Sequence, residues 1–371
     1  MTSTTKDYYE LDPDGDVIFV FTRTDPDIAN QSSGPKAVPH KSTKSAQVTG
    51  GSVERASHSV AGKKARKSKQ QVSSQSTDTP DDGKVVKVRV SSKHLSLASP
   101  VFEKMFHGLW KEAQGLRVGH MEMEMDWQNM DAMLILMNAI HGHGPEVPRK
   151  VSLEMLTEIS ILVDYYNCHK AIQLALDLWM RPLQAGMAKE FCDDIVRWIW
   201  ISWVFRLIDP FRSATYRAVA QSQGPISSLG LPIHHRIINA IEKRREYCMK
   251  GTLEALRLLL TDLRDGRNSC SFECDSFRLG ALTKQLHTHG FLTHILEDTT
   301  PSFSLDQLYH FLVNIKSPAW CDITLNLDGQ HHHQHQHSEH PCTLQSMIKP
   351  ILSNMTYHMR GCSFEEFKEV P

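Results

Sequence analysis

The sequence predicts an α+β protein: a small sheet with helical hairpins in the first half, followed by a mostly α-helical C-terminal region. Three observations carry that reading. "VVKVRV" (85–90) alternates apolar and polar side chains with the period of two that a half-buried strand requires. "SSKHLSLASPVFEKMF" (91–106) places two helix starts directly behind that strand. Beyond about residue 184, apolar residues recur mostly at helical spacing.

In chain order, "DGDVIFVFTR" (14–23) reads as a buried strand entered from a tight Asp-Gly turn. From Asp25 to about Gly83 the chain is Ser, Thr, Lys, Gln, Gly and Pro without apolar periodicity. Such a composition cannot offset the entropy of folding, so a disordered insertion is expected over 25–83. Two strands flanking it predict a hairpin with an expanded loop, which costs little because loop-closure entropy rises only with the logarithm of length. The roughly ten residues before the first strand are too few for a stable helix of their own. Ser92 is expected to cap the first short helix. Ser99, followed by Pro100, is expected to start the second, with a side-chain acceptor at the cap and a pre-bent residue behind it.

Phe102, Met105 and Phe106 then form an apolar stripe. "HMEMEMD" (120–126) sets Met121, Met123 and Met125 on one side of a third strand. Asp126 is the expected cap of a helix whose shared face is Met130, Met133, Leu134, Met137, Ile140 and His141, with Gly142 as its stop. Ser152 caps a helix lined by Leu153, Leu156, Ile159, Leu162 and Val163, and a partner helix follows from about Cys168 to Met180. Further helices are expected at about Lys189–Ile208, Ile233–Leu263, Phe277–His287, Leu305–Ile315 and Leu344–Met359, the last with Pro350 as a kink. Ser363 and Glu366 form a capping-box pattern for one last turn.

The 371 residues suffice for about two domains of roughly 100–200 residues each. They are read as 1–183, containing the insertion, and 184–371, containing a His-rich loop at 331–337. A net charge of −1 gives no whole-molecule attraction to nucleic acid or membranes. "MTSTTKDYYE" (1–10) has no apolar run and does not read as a secretory signal. The longest apolar stretch, Ile195–Ile208, is interrupted by Arg197 and Arg206 and falls short of the ~20 residues a span needs. The expectation is a nuclear or cytoplasmic protein, neither secreted nor membrane-spanning, with its eight cysteines reduced or metal-bound.

Strand "DVIFVF", the unit "VRVSSKHLSLASPVFEKMF", the following "WKEA", the block "MEMEMDWQNMDAMLILMNAIHG" and the helix "MLTEISILVDYYNC" together resemble a BTB/POZ domain, in order and at similar spacing. The expanded first hairpin, "RWIWISWVF", "KRREYC", "CSFECDSFRLGALTKQL" and "IKSPAWCD" resemble fungal BTB proteins with a helical C-terminal region. The resemblance runs from about Leu11 to Leu183 and continues more loosely to the end. It implies a non-enzymatic adaptor or scaffold that binds itself or other proteins; fold analogy alone leaves the partner open.

In BTB adaptors of cullin-type ubiquitin ligases, a hydrophobic residue, any residue and a glutamate follow the second helix and touch the cullin. Trp110 and Glu112 match that spacing, an apolar anchor beside a register-fixing charge. Phe102 and Phe106 are counted with them as partner contacts. The alternative functions are a substrate adaptor for a cullin ligase and a nuclear transcription regulator. The latter would touch nucleic acid through Lys63, Lys64, Arg66, Lys67 and Lys69, a basic run that also fits a nuclear import signal. No recognition helix or zinc-finger spacing accompanies that run, so sequence-specific reading of nucleic acid is not expected.

Cys270, Cys274, Cys321, His340 and Cys342 could supply the thiolates and imidazole of a closed structural zinc site, though buried cysteines also serve as small hydrophobes. "HHHQHQH" (331–337) reads as a low-complexity expansion with no assigned role. The sequence holds no Gly-rich phosphate loop, GxSxG or HExxH, and the protein is read as non-enzymatic, with no cofactor beyond that zinc and no small-molecule substrate.

Overall fold

The computed structural model describes residues 7–22, 85–107, 121–125, 129–267, 271–297, 301–318 and 342–368. Strands β1 (Tyr8–Glu10), β2 (Val17–Thr22), β3 (Val85–Val90) and β4 (Met121–Glu124) form one sheet in the order β1-β3-β2-β4. β2 and β3 pair antiparallel from Val17↔Val90 to Thr22↔Val85, so the strands either side of the expected insertion are neighbours. β1 and β4 add to β3 and β2 in parallel. Alternation sets the faces: Val17, Phe19, Phe21, Val86, Val88 and Val90 are buried, while Lys87 and Glu122 pair at 2.9 Å on the wet side. The turn before β2 closes with the Gly15 N–H donating to the Asp12 carbonyl at 2.9 Å. A Cβ on Gly15 would lie 2.6 Å from the Val90 carbonyl oxygen, so only glycine allows that approach.

Two helical hairpins follow. α1 (Ser92–Ala98) starts differently from the expectation: Ser91 is its N-cap without a side-chain bond, and Ser92 is its first helical residue. The orphan N–H groups of its first turn are satisfied from afar. The Ser91 N–H donates to His141 Nε2 at 2.9 Å, and the Ser92 N–H and hydroxyl donate to the Asp16 carboxylate at 2.8 and 2.7 Å. α2 (Pro100–His107) starts as expected, with Ser99 Oγ accepting from the Phe102 N–H at 3.1 Å.

α3 (Met130–Ile140) is capped by Asn129, whose Oδ1 accepts from the Ala132 N–H at 3.1 Å. Asp126, the expected cap, lies outside the described residues. Gly142, at φ 76°, stops the helix. Ser152 caps α4 (Leu153–Tyr166), accepting from the Met155 N–H at 3.1 Å. α5 (His169–Ala185) runs past the expected Met180 end and past the expected domain boundary at 183/184.

The helical region comprises α6 (Asp193–Val204), α7 (Ile208–Gln221), α8 (His235–Asp265), α9 (Phe272–Thr288), α10 (Leu292–Glu297), α11 (Leu305–Val313), α12 (Leu344–His358) and a 3-10 turn at Phe364–Phe367. The helix expected over Lys189–Ile208 ends early, and a second helix begins at Ile208. Between them Arg206 adopts the left-handed conformation at φ 56°, its guanidinium 4.7 Å above the Trp203 ring and 5.6 Å from that of Phe364. The 31-residue α8 is the axis of this region, touching α7, α9, α10, α11 and α12, while α4 packs on α6 and links the two halves.

Buried apolar side chains from Leu11 to Cys362 form one cluster. The protein is thus mixed α/β, with a small four-stranded sheet and mostly helical content. Among the described residues no helix is long and apolar enough to cross a membrane.

Candidate functional site

Phe102 and Phe106 are corrected from partner contacts to core residues. Both are buried, and Phe102 stacks between Tyr166 at 4.3 Å, Phe106 at 5.7 Å and Phe19 at 6.0 Å. An aromatic stripe at helical spacing on a strand-linked helix faces the sheet because stacking and burial both favour it there. Trp110, Glu112 and the basic residues Lys63, Lys64, Arg66, Lys67 and Lys69 lie outside the described residues.

The large apolar side chains left in water on the first half are others. Among the described residues, Tyr8 on β1, Val85 on β3, Leu97 on α1, Tyr165 on α4, and Leu174 and Leu178 on α5 are exposed. α5 is two-faced: Ile172, Leu176, Trp179 and Met180 are buried, whereas Leu174 and Leu178, one turn apart, are 79% and 55% exposed.

Of the five candidate zinc ligands, Cys270, Cys321 and His340 lie outside the described residues. The two that are described converge on one guanidinium. Arg278 is buried in α9; its Nη2 contacts Cys274 Sγ and its Nη1 lies 3.6 Å from Met347 Sδ. Burial works against its charge, and contact with Cys274, with Cys342 and Asp275 nearby adding to it, outweighs that and raises its pKa. Asp275 is buried beside it with neither carboxylate oxygen hydrogen-bonded. Among the described residues no group of three His, Cys, Asp or Glu is placed to hold a metal ion. Elsewhere burial pushes the Cys168 thiol up to about 12 and those of Cys248 and Cys362 to about 11, so these thiols stay protonated at neutral pH.

His141 makes a long-range contact in the fold. Its Nε2 accepts from Ser91, so Nδ1 holds the proton and donates to the Met137 carbonyl at 2.8 Å. Burial pushes its pKa down, against the Met137 hydrogen bond, with His94 and His143 nearby adding to the fall. A neutral imidazole at the end of α3 thereby completes the start of α1.

A cleft lined by charged residues lies in the C-terminal half. After α12 the chain turns back across α7 and α8. The Cys362 N–H donates to Thr215 Oγ1 at 2.8 Å, and Phe364 stacks on Phe211 at 4.6 Å. A Cβ on Gly361 would lie 2.0 Å from the Arg212 carbonyl oxygen, so glycine is required for this seat. Arg244 of α8 fastens the returning segment: Nη1 donates to the Arg360 carbonyl at 3.2 Å and Nη2 to Glu366 Oε2 at 2.6 Å. Burial raises the Glu366 pKa, but the Ser363 N–H and Arg244 together outweigh it and hold the carboxyl below its usual range. The result is a cleft of about 550 Å³ lined by Arg212, Arg244, Arg360, Gly361, Ser363 and Glu366. Among these residues the sequence reading singled out the Ser363 and Glu366 cap, and Arg244 only as part of "KRREYC". The three arginines sit on separate elements, with no local motif to join them.

No family model, curated protein or solved structure matches the chain.

Proposed function

We propose that this chain is a non-enzymatic protein-interaction module whose first half is a BTB/POZ-like domain. Supporting this reading are the order of elements, with an antiparallel hairpin followed by two short helices, a strand and further helical hairpins, and the motif series that carries the resemblance. The observation that carries it furthest is the outer face of α5. Leu174 and Leu178 stand in water there, while the opposite side of the same helix is core. Burying a leucine side chain is worth roughly 1.5–3 kcal/mol, so a partner covering both would gain an amount that matters to binding.

The test is affinity purification of the full chain with quantitative mass spectrometry, comparing the natural sequence with L174K/L178K. Lysine preserves helix propensity at exposed positions, so the melting temperature should be unchanged. Loss of at least tenfold in a defined set of co-purifying proteins is the expected result; an identical set from an equally stable variant would reject α5 as the docking face. In its ligase-adaptor form the proposal places the cullin at Trp110 and Glu112, and W110A/E112A would then abolish cullin recovery.

A further inference from the structure

We propose that the cleft framed by Arg212, Arg244 and Arg360 binds a phosphomonoester dianion. Charge balance is the first argument. Three arginine residues line the cleft against one acidic residue, Glu366, a formal excess of two positive charges. A phosphomonoester carries about −1.5 to −2 at neutral pH and three acceptor oxygens, which matches that excess where a single carboxylate would leave half of it.

The second argument is the division of labour among the arginines. Arg244 is committed to the fold through Glu366 and the Arg360 carbonyl. Arg212 and Arg360 are exposed, and among the described residues neither has a carboxylate partner. The Arg360 guanidinium carbon lies 5.8 Å from the centroid of the Tyr357 ring, a contact through its face that leaves its N–H donors for a ligand. Gly361 seats its backbone against the Arg212 carbonyl, which sets the backbone of the neighbouring Arg360 close to that of Arg212.

Size is the third. The cleft, about 550 Å³, lies within the roughly 300–1,000 Å³ of ordinary ligand sites and exceeds what a bare phosphate ion fills. The phosphoryl group is therefore one end of a larger molecule. That molecule is either a phosphorylated side chain of a protein or a small phosphorylated compound. This site is independent of the α5 docking face, and either can fail without the other.

Isothermal titration of the full chain at low salt tests the proposal. The ligands are a capped phosphoserine tripeptide, ribose 5-phosphate, inorganic phosphate, a methyl phosphodiester of the same tripeptide, and the unphosphorylated tripeptide. Saturable one-to-one binding of the monoesters is expected, at least tenfold tighter than the singly charged diester. In R212Q/R360Q that affinity should fall at least tenfold with an unchanged melting temperature, since both positions are exposed and the Arg360 carbonyl is retained. The tighter of the two organic carriers identifies the source of the phosphoryl group. Absence of saturable monoester binding would overturn the proposal, as would equal affinity for the diester or full affinity in the double variant.

Discussion

Two glycines show how far the effect of one methyl group depends on its surroundings. Gly251 lies within α8 with nothing inside 4 Å of where a Cβ would sit. Alanine there removes backbone freedom from the unfolded chain at no steric cost, and G251A should stabilise the protein by about 0.5–1 kcal/mol. Gly361 is the opposite case. Its added Cβ would meet the backbone oxygen and carbon of Arg212 at 2.0 and 2.9 Å, and backbone cannot rotate aside as a side-chain tip can. G361A should therefore destabilise by about 1–3 kcal/mol, the usual range for overpacking, and displace Arg360 from the cleft. Paired thermal melts of the two variants check the signs, and two shifts in the same direction would refute the described seat of Gly361. Neither sign is legible in the sequence, where both are single glycines among polar neighbours. The same holds for the cleft itself, since Arg212, Arg244 and Arg360 meet only after α7, α8 and the returning segment have packed.

At the scale of elements, the C-terminal turn is a clasp closed by one acid. Glu366 accepts from the Ser363 N–H at 2.9 Å and from Arg244, and the two aromatic residues of the turn rest on Trp203 and Phe211. Its carboxyl titrates below the unfolded value of 4.5. The clasp's contribution is thus complete above about pH 4.5 and is lost as the pH falls through the lower, folded value. Hydrogen exchange at residues 361–368 should accelerate on acidification through that window, and E366Q should be faster at neutral pH and insensitive to the change. A pH response persisting unchanged in E366Q would assign it to another group. This capping box was legible because its two residues are three apart.

So were the Ser99, Ser152 and Gly142 signals, each a local contact. Failures share the opposite property. α1 borrows its start from Asp16 and His141, and the break before α7 rests on Arg206 stacking over Trp203 and Phe364. α7 buries mostly small residues, Ala214, Ala218 and Ala220, around Phe211 and Val219, a pattern with little apolar contrast to read. β1 is three residues long and exists as a strand only because the β3 edge is there to pair with it.

For the whole molecule, the decisive feature is that β2 and β3 pair in full register across a separation of some sixty residues of chain. Thr22 lies opposite Val85, which is the geometry a two-residue hairpin turn closes. Replacing residues 23–84 with Asn-Gly should accordingly leave the sheet, both helical hairpins and a cooperative melt intact. The shortening spans about five halvings of loop length, and at about 0.6 kcal/mol for each the gain in stability is up to about 3 kcal/mol. Strand content by circular dichroism and a thermal melt would measure it. An unfolded first half in the shortened chain would mean that the insertion supplies contacts the hairpin needs, and the sheet-and-helix unit would no longer stand as the folding core. The same deletion removes Lys63, Lys64, Arg66, Lys67 and Lys69 together. If that run is the import signal, the shortened protein keeps its fold and its α5 partners yet no longer accumulates in nuclei, separating where the protein acts from how it folds.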